Sequence, residues 1–301
     1  MGKQNFAYLY ARVNTLPHIA MNTETGEYHY GMFYADVVRG PRSVGDNLHF
    51  VKHDKPLIMS KEKQMLDLFR ELKVNDIVLI KGVITSMSMM KTTFCECIDE
   101  ETGEKTKNKS YGNMLYVTPI FIKKLNSYGD NKAGSVQDIV DNAEISNQVS
   151  VVGTLITEPK LYTTKKGLQI TQYALAINRK FLIRTDNPEY KTDWPIVKSY
   201  GEQARQDKVF LRQKAEVMID GFLQARTVKR KTKCHCCGKI YEWEDHAMEI
   251  VPYAVEYLRG HRSEDEIEAE SHKSAEELKQ ELFDSAFSET VDEGMKSTDL
   301  A

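Results

Sequence analysis

The chain lacks most of what would make its function easy to name. No apolar run approaches the roughly 20 residues a helix needs to span a bilayer, so a helical membrane protein is excluded. The opening Met1-Gly2-Lys3-Gln4-Asn5 has no apolar signal core, so export is not expected and a cytoplasmic location is. There is no phosphate-binding G-x-x-x-x-G-K-[ST], no H-E-x-x-H, and no pattern of nucleophile and general base, so an enzyme is not expected. The five cysteines form one pair and one triplet, which is not a disulfide framework.

What is present is a repeat. Gly82 lies 13 residues before Cys95, and Gly221 lies 13 before Cys234, so one offset of 139 relates both pairs. Asp76-Ile77-Val78-Leu79-Ile80-Lys81-Gly82 stands opposite Ala215-Glu216-Val217-Met218-Ile219-Asp220-Gly221, with apolar residues at the same steps. Self-similarity of this kind predicts two copies of one small domain.

Each copy reads strand, strand, strand, helix, strand, strand. The first strands are residues 6–13 and 149–155. The long second strands are 28–38 and 168–181, where the alternation Tyr173, Leu175, Ile177 predicts one buried face. Helices are predicted over 60–72, with Met65, Leu68, Phe69 and Leu72 as the apolar stripe, and over 201–214, with Ala204, Val209, Phe210 and Leu211. Closing strands follow at 114–125 and 248–258. Five strands with a helix between the third and fourth is the order of an OB-fold, a Greek-key barrel. The expected fold is therefore mostly β: two tandem OB-fold barrels, each with one helix. The expected domains are 1–125, a linker at 126–146 with a helical turn at 136–142, the second barrel at 147–258, and a partly disordered acidic tail at 259–301.

Charge divides the chain in the same way. The tail holds 13 acidic and 5 basic residues, a net of −8, which leaves residues 1–258 with a net of +5. A basic body with an acidic tail is a pattern of nucleic-acid binders whose tail recruits partners, and also of a plain solvated terminus.

Four segments of the second copy carry a resemblance. They are Val151-Val152-Gly153-Thr154-Leu155 with Glu158-Pro159; Tyr173-Ala174-Leu175-Ala176-Ile177-Asn178-Arg179; Asp193-Trp194-Pro195-Ile196-Val197-Lys198-Ser199-Tyr200-Gly201; and Val217-Met218-Ile219-Asp220-Gly221-Phe222-Leu223-Gln224-Ala225-Arg226. In this order they resemble the bacterial single-stranded DNA-binding protein family. The resemblance implies that Trp194, Tyr200 and Phe181 stack on bases. It also implies that Arg179, Lys180, Lys198 and Arg226 meet phosphates. A further stacking position of that family holds Val228 here. The physics agrees, because sequence-tolerant binding of a single strand needs aromatic platforms interleaved with cations. Lys229, Arg230 and Lys231 add a basic cluster on the last hairpin. By pattern alone, a tryptophan in a small barrel is more often a core residue than a platform.

Copy one departs from this pattern. At the 139 offset Trp194 faces Lys55 and Tyr200 faces Lys61, while Tyr28, Tyr30, Phe33 and Tyr34 crowd its own long strand. Either Tyr28 and Tyr30 bind the strand along another track, or copy one is a structural or pairing domain.

Cys234 and Cys237 form a C-x-x-C-G knuckle, half of a tetrahedral zinc site. Cys95 and Cys97 occupy the same hairpin of copy one and are one candidate other half, which would staple the barrels together with a structural zinc. His235, Cys236 or His246 are the local alternatives, and unliganded thiols are another. In the tail, residues 274–287 are amphipathic through Leu278, Leu282 and Phe283, but the chain lacks the family's Asp-rich, Pro-Phe ending. The expected function is coating of single-stranded DNA in replication, recombination or repair. The expected source is a phage or plasmid, the expected state a monomer or homodimer, and the expected partners other replication or recombination proteins bound through the tail. The alternative is a protein–protein adaptor in replisome loading or recombination.

Overall fold

The structure, a computed structural model, describes residues 4–24, 26–40, 51–98, 103–185 and 191–270, with 272, 276 and 279. The first half contains β1 (Gln4–Val13), β2 (His18–Met21), β3 (Tyr28–Val38), β4 (His53–Asp54), β5 (Leu57–Ser60), α1 (Lys63–Glu71), β6 (Asp76–Ile98) and β7 (Lys105–Ser127). Strand β1 pairs with β3, β3 with β5, β5 in parallel with β7, β7 with β6, and β6 with β1. That circuit closes a five-stranded barrel.

Two helices follow, α2 (Lys132–Asp141) and α3 (Ala143–Ser146). The expected turn of helix is thus a helix and a half. Ile139 packs into the first barrel's outer wall with Val38 and Ile77. Asp138 accepts from the Tyr10 and Tyr128 hydroxyls at 2.7 and 2.9 Å. The linker is therefore a buttress.

The second half contains β8 (Asn147–Leu155), β9 (Lys160–Thr163), β10 (Gln169–Asn178), β11 (Thr192–Asp193), β12 (Ile196–Tyr200), α4 (Gly201–Phe210), β13 (Glu216–Lys233) and β14 (Ile240–Arg259). The same circuit recurs, β8 to β10 to β12, then in parallel to β14, then β13 and back to β8. Both halves are OB-folds. In β10 the predicted alternation holds, with Tyr173, Leu175 and Ile177 all buried.

The helix faces differ from the predicted stripes. In α1 Leu66 and Phe69 are buried, with Leu72 beyond its end, whereas Leu68 points to solvent. The helix plugs the barrel mouth, where the Phe69 ring meets Phe33 edge-on at 5.1 Å. That contact sets its rotation and turns Leu66 inward. In α4 the buried residues are Ala204 and Asp207, and Val209 is exposed. Asp207 accepts hydrogen bonds from Ser199, Tyr173 and Tyr257 inside the barrel, so a carboxylate takes the inward position.

The repeated glycines have one cause in both barrels. β6 is bulged between Lys81 and Gly82, and β13 between Asp220 and Gly221. At each bulge the partner strand crosses closely. A Cβ on Gly82 would lie 2.8 Å from the Thr118 carbonyl oxygen, and one on Gly221 would lie 2.9 Å from the Pro252 Cα. No larger residue fits without moving backbone.

The barrels share a sheet. β1 runs antiparallel to β8, from Gln4 opposite Val152 to Leu9 opposite Asn147. Six strands are thereby continuous, in the order β7-β6-β1-β8-β13-β14. A reciprocal pair of carboxylates adds to this. Asp54, held by Arg39 at 2.6 Å, accepts from the Ala225 N–H of the second barrel at 2.8 Å. Asp193, held by Arg179 at 2.5 Å, accepts from the Ser86 N–H of the first barrel at 2.8 Å. The aspartates stand 139 apart, and so do Ser86 and Ala225. The repeat is therefore also a pseudo-twofold interface.

Beyond Gly82 and Gly221 the last two strands of each barrel project as long hairpin arms. After β14 the chain turns back onto α4, where the Arg262 N–H donates to the Phe210 carbonyl at 2.8 Å. Residues 264–270 are helical. The amphipathic tail residues Leu278, Leu282 and Phe283 lie outside the described residues.

Candidate nucleic-acid interface and cysteine cluster

Trp194 follows the docked Asp193, and its backbone N–H donates to the Ser86 Oγ of the first barrel at 3.0 Å. The residue is 39% exposed, so it is not a core tryptophan. It opens onto a cleft of about 210 Å³ whose walls include Ile196, Lys198, Arg226, Val228 and Lys229. At the back lies Glu249. Lys198 pairs with it at 2.8 Å and Arg226 at 3.1 Å. Burial pushes the Glu249 carboxyl up, but Lys198 and then Arg226 outweigh that and hold it below the usual carboxylate range. Gln224 donates both to Glu249 at 2.8 Å and to the Tyr200 hydroxyl at 3.0 Å. Tyr200 is thereby fixed beside the same cleft, half-buried.

The other predicted contacts are distributed unevenly. Arg179 is spent on Asp193, with only 7% of its side chain exposed. Phe181 packs edge-on against Phe6 of the first barrel at 5.6 Å, and Lys180 is exposed beside it. Lys229 is exposed on the arm, while Arg230 pairs with Asp245 at 3.2 Å and Lys231 with Glu242 at 2.5 Å. In the first barrel the Arg70 guanidinium covers the Tyr28 ring at 4.5 Å, and Tyr30 packs against His18 and His29. Tyr28 and Tyr30 thus lie apart from the Trp194 cleft.

The second tryptophan drew no notice in the sequence. Trp243, on β14, lines a further cleft between the arms, with Lys91 Nζ 4.7 Å from its ring centre. The available signal was compositional: Trp243 is one of only two tryptophans.

The arms meet at their tips in thiols. The Sγ atoms of Cys95, Cys97, Cys234 and Cys237 all lie within 4.8 Å of one another. Across the arms, Cys95 and Cys237 are 3.5 Å apart, as are Cys97 and Cys234. Gly238, at φ 75°, makes the tight turn of the knuckle, and its N–H donates to the Cys234 carbonyl at 3.0 Å. The Cys97 N–H and then the Tyr241 hydroxyl bring the Cys95 thiol down to about 6. The Cys237 N–H lowers Cys234. The alternative ligands stand outside the cluster. His235 bonds Asn108 at 3.0 Å, Cys236 lies near the Ile98 carbonyl at 3.8 Å, and His246 packs on Tyr34.

Known proteins resemble this chain mainly through its second barrel. Residues 146–236 match the family model described as "Single-strand binding protein family". A "Single-stranded DNA-binding protein" of Staphylococcus aureus strain MRSA252 is 26% identical over 119 residues, which is 40% of this chain and 69% of that one. "Single-stranded DNA-binding protein 1" of Chlorobaculum tepidum is 27% identical over 112 residues, 37% of this chain and 60% of that one. Among solved structures, the single-stranded DNA binding protein from Thermus aquaticus superposes with a TM-score of 0.51 at 13% identity, covering 87% of this chain and 97% of that one. Overlap of that extent runs through both barrels, so the tandem fold is shared as well. Through its second barrel, this chain is similar to the single-strand binding protein family.

Proposed function

We propose that the protein binds single-stranded DNA without sequence preference and coats it during replication, recombination or repair. The observation that carries this reading is Trp194, half out of the barrel at the mouth of a cleft walled by Lys198, Arg226 and Lys229. Bases stack on such a ring for about 1–3 kcal/mol each, and cations released from the phosphates make binding salt-dependent. Tyr200 and Lys180 extend the surface. Its role is to hold a strand, and the family match supports a binding protein rather than an enzyme. Fluorescent oligothymidylate titrated at two salt concentrations tests the reading. Tight, salt-sensitive binding that Trp194→Ala weakens is expected; no binding at low salt would remove it.

The four thiols fit a structural zinc. Zn–S bonds of about 2.3 Å in a tetrahedron put sulfurs somewhat under 4 Å apart, close to the 3.5 Å between cross-arm partners. Cys95 and Cys97 would supply one half and Cys234 and Cys237 the other, tying the two arms. Metal analysis should find one zinc per chain, lost in Cys95→Ser and Cys234→Ser. With two barrels already paired within one chain, a monomer or homodimer is expected, and the acidic tail is expected to recruit other replication or recombination proteins. Among the described residues no helix is long and apolar enough to cross a membrane.

A further inference from the structure

The first barrel carries no exposed counterpart of Trp194, yet its arm forms half of a second cleft. That cleft has a volume of about 300 Å³ and lies between the two hairpins. It shares Asn113 and Arg230 with the Trp194 cleft, so the two are one continuous groove. Trp243 stands on the second barrel's side. Tyr111 stands on the first barrel's side, 74% exposed, with Met89 and Met90 beside it at 45% and 53%. Lys91 reaches across from the first arm to the Trp243 ring. Contiguous exposed apolar side chains rimmed by polar ones mark interaction sites and ligand-binding grooves. Their alternation with Lys91, Arg230 and Lys231 outweighs the acidic lining of Glu244 and Asp245.

We infer that the groove between the arms continues the single-strand path, so that a strand leaving Trp194 passes between Trp243 and Tyr111. This inference rests on the single-strand reading of the Trp194 cleft. Aromatic faces interleaved with cations are what a single strand requires, and the groove joins a surface already suited to one. The first barrel then binds through its arm rather than its barrel face. The cysteine cluster at the tips holds the two walls at a fixed width.

The test uses the full chain. Trp194→Phe leaves Trp243 as the sole tryptophan, so the emission reports the groove, and each titration is carried to saturation so that affinity lost at the Trp194 cleft does not enter the reading. A long oligothymidylate should quench it. A short one, about 4–8 nucleotides, should occupy the Trp194 cleft and leave the emission unmoved. Tyr111→Ala, at an exposed position that bears no load in the fold, should weaken the long oligonucleotide by about 5-fold or more and the short one not at all. If the wild type binds but Trp243 emission stays constant and Tyr111→Ala has no effect, the inference falls, the Trp194 reading stands, and the groove is left to a protein segment. If the wild type binds neither oligonucleotide, the Trp194 reading falls and takes this one with it.

Discussion

The two barrels have the same circuit, the same bulged glycine and the same docking aspartate, but they treat the residue after that aspartate differently. In the second barrel it is Trp194, turned toward a cleft. In the first it is Lys55, exposed to solvent. Closing a barrel and docking it on its twin are tasks that both copies must perform, and Gly82, Gly221, Asp54 and Asp193 perform them. On the proposed reading a stacking platform is needed only where a base lands, and the first copy does without one at that position. The arms show the reverse. They differ in sequence nearly everywhere, yet each tip contributes two thiols to one cluster, because a site built from two halves holds only if both halves remain.

Four measurements would break or sharpen this comparison. The largest effect is expected from the docking carboxylates. Asp193→Ala takes the carboxylate partner from the buried Arg179, and Asp54→Ala takes the one from Arg39. Each should cost about 3–5 kcal/mol in denaturant unfolding. Equal losses would support the pseudo-twofold; a loss confined to one barrel would break it. Next is the metal. With zinc at about 1,000 times its Kd, binding adds about 4 kcal/mol to stability, so a chelator should lower Tm in the wild type and leave Cys95→Ser unmoved. Third is the platform itself. Trp194→Ala should cost about 1–3 kcal/mol of oligothymidylate binding, while Lys55→Ala, at a position that lines neither cleft, should leave it unchanged.

The smallest effect is in acid. Glu249 is held below its usual range by Lys198 and Arg226, so it stays charged at a pH where its unfolded counterpart, near about 4.3, has taken a proton. The stability it contributes is complete above that value and is lost as pH falls through the lower folded one. Thermal unfolding from pH 7 to pH 3 should show this drop in the wild type and a shallower one in Glu249→Gln. Identical slopes would show that the second barrel's cation pair is not coupled to Glu249.

Much of the scaffold was legible because it depends on periodicity. β3 occupies residues 28–38, as read from its aromatic run, and Tyr173, Leu175 and Ile177 turn inward as their alternation requires. The helix faces were not legible. Met65 and Leu68 suit an apolar stripe as well as Leu66 does, and only the Phe33–Phe69 contact decides between them. At the site, Trp194 could be named from neighbouring residues in the chain, and Cys95, Cys97, Cys234 and Cys237 as one candidate set among several. Arg179 could not be placed. An arginine beside a binding strand reads as a phosphate contact until a buried aspartate from another strand takes it. Tyr111 and Trp243 were invisible as a pair, because their meeting depends on two arms whose tips are 137 residues apart at Cys97 and Cys234.

By itself the sequence determined that there are two barrels, where their repeated glycines fall, and which copy has the tryptophan after its aspartate. All of these follow from local pattern and from one offset. The tertiary structure decided how the copies face each other, which charges are spent on that interface, and which four of five cysteines converge. Those outcomes depend on β1 pairing with β8 and on two carboxylates finding N–H groups on the opposite barrel. Such contacts are specified by three-dimensional complementarity and leave no periodic trace along the chain.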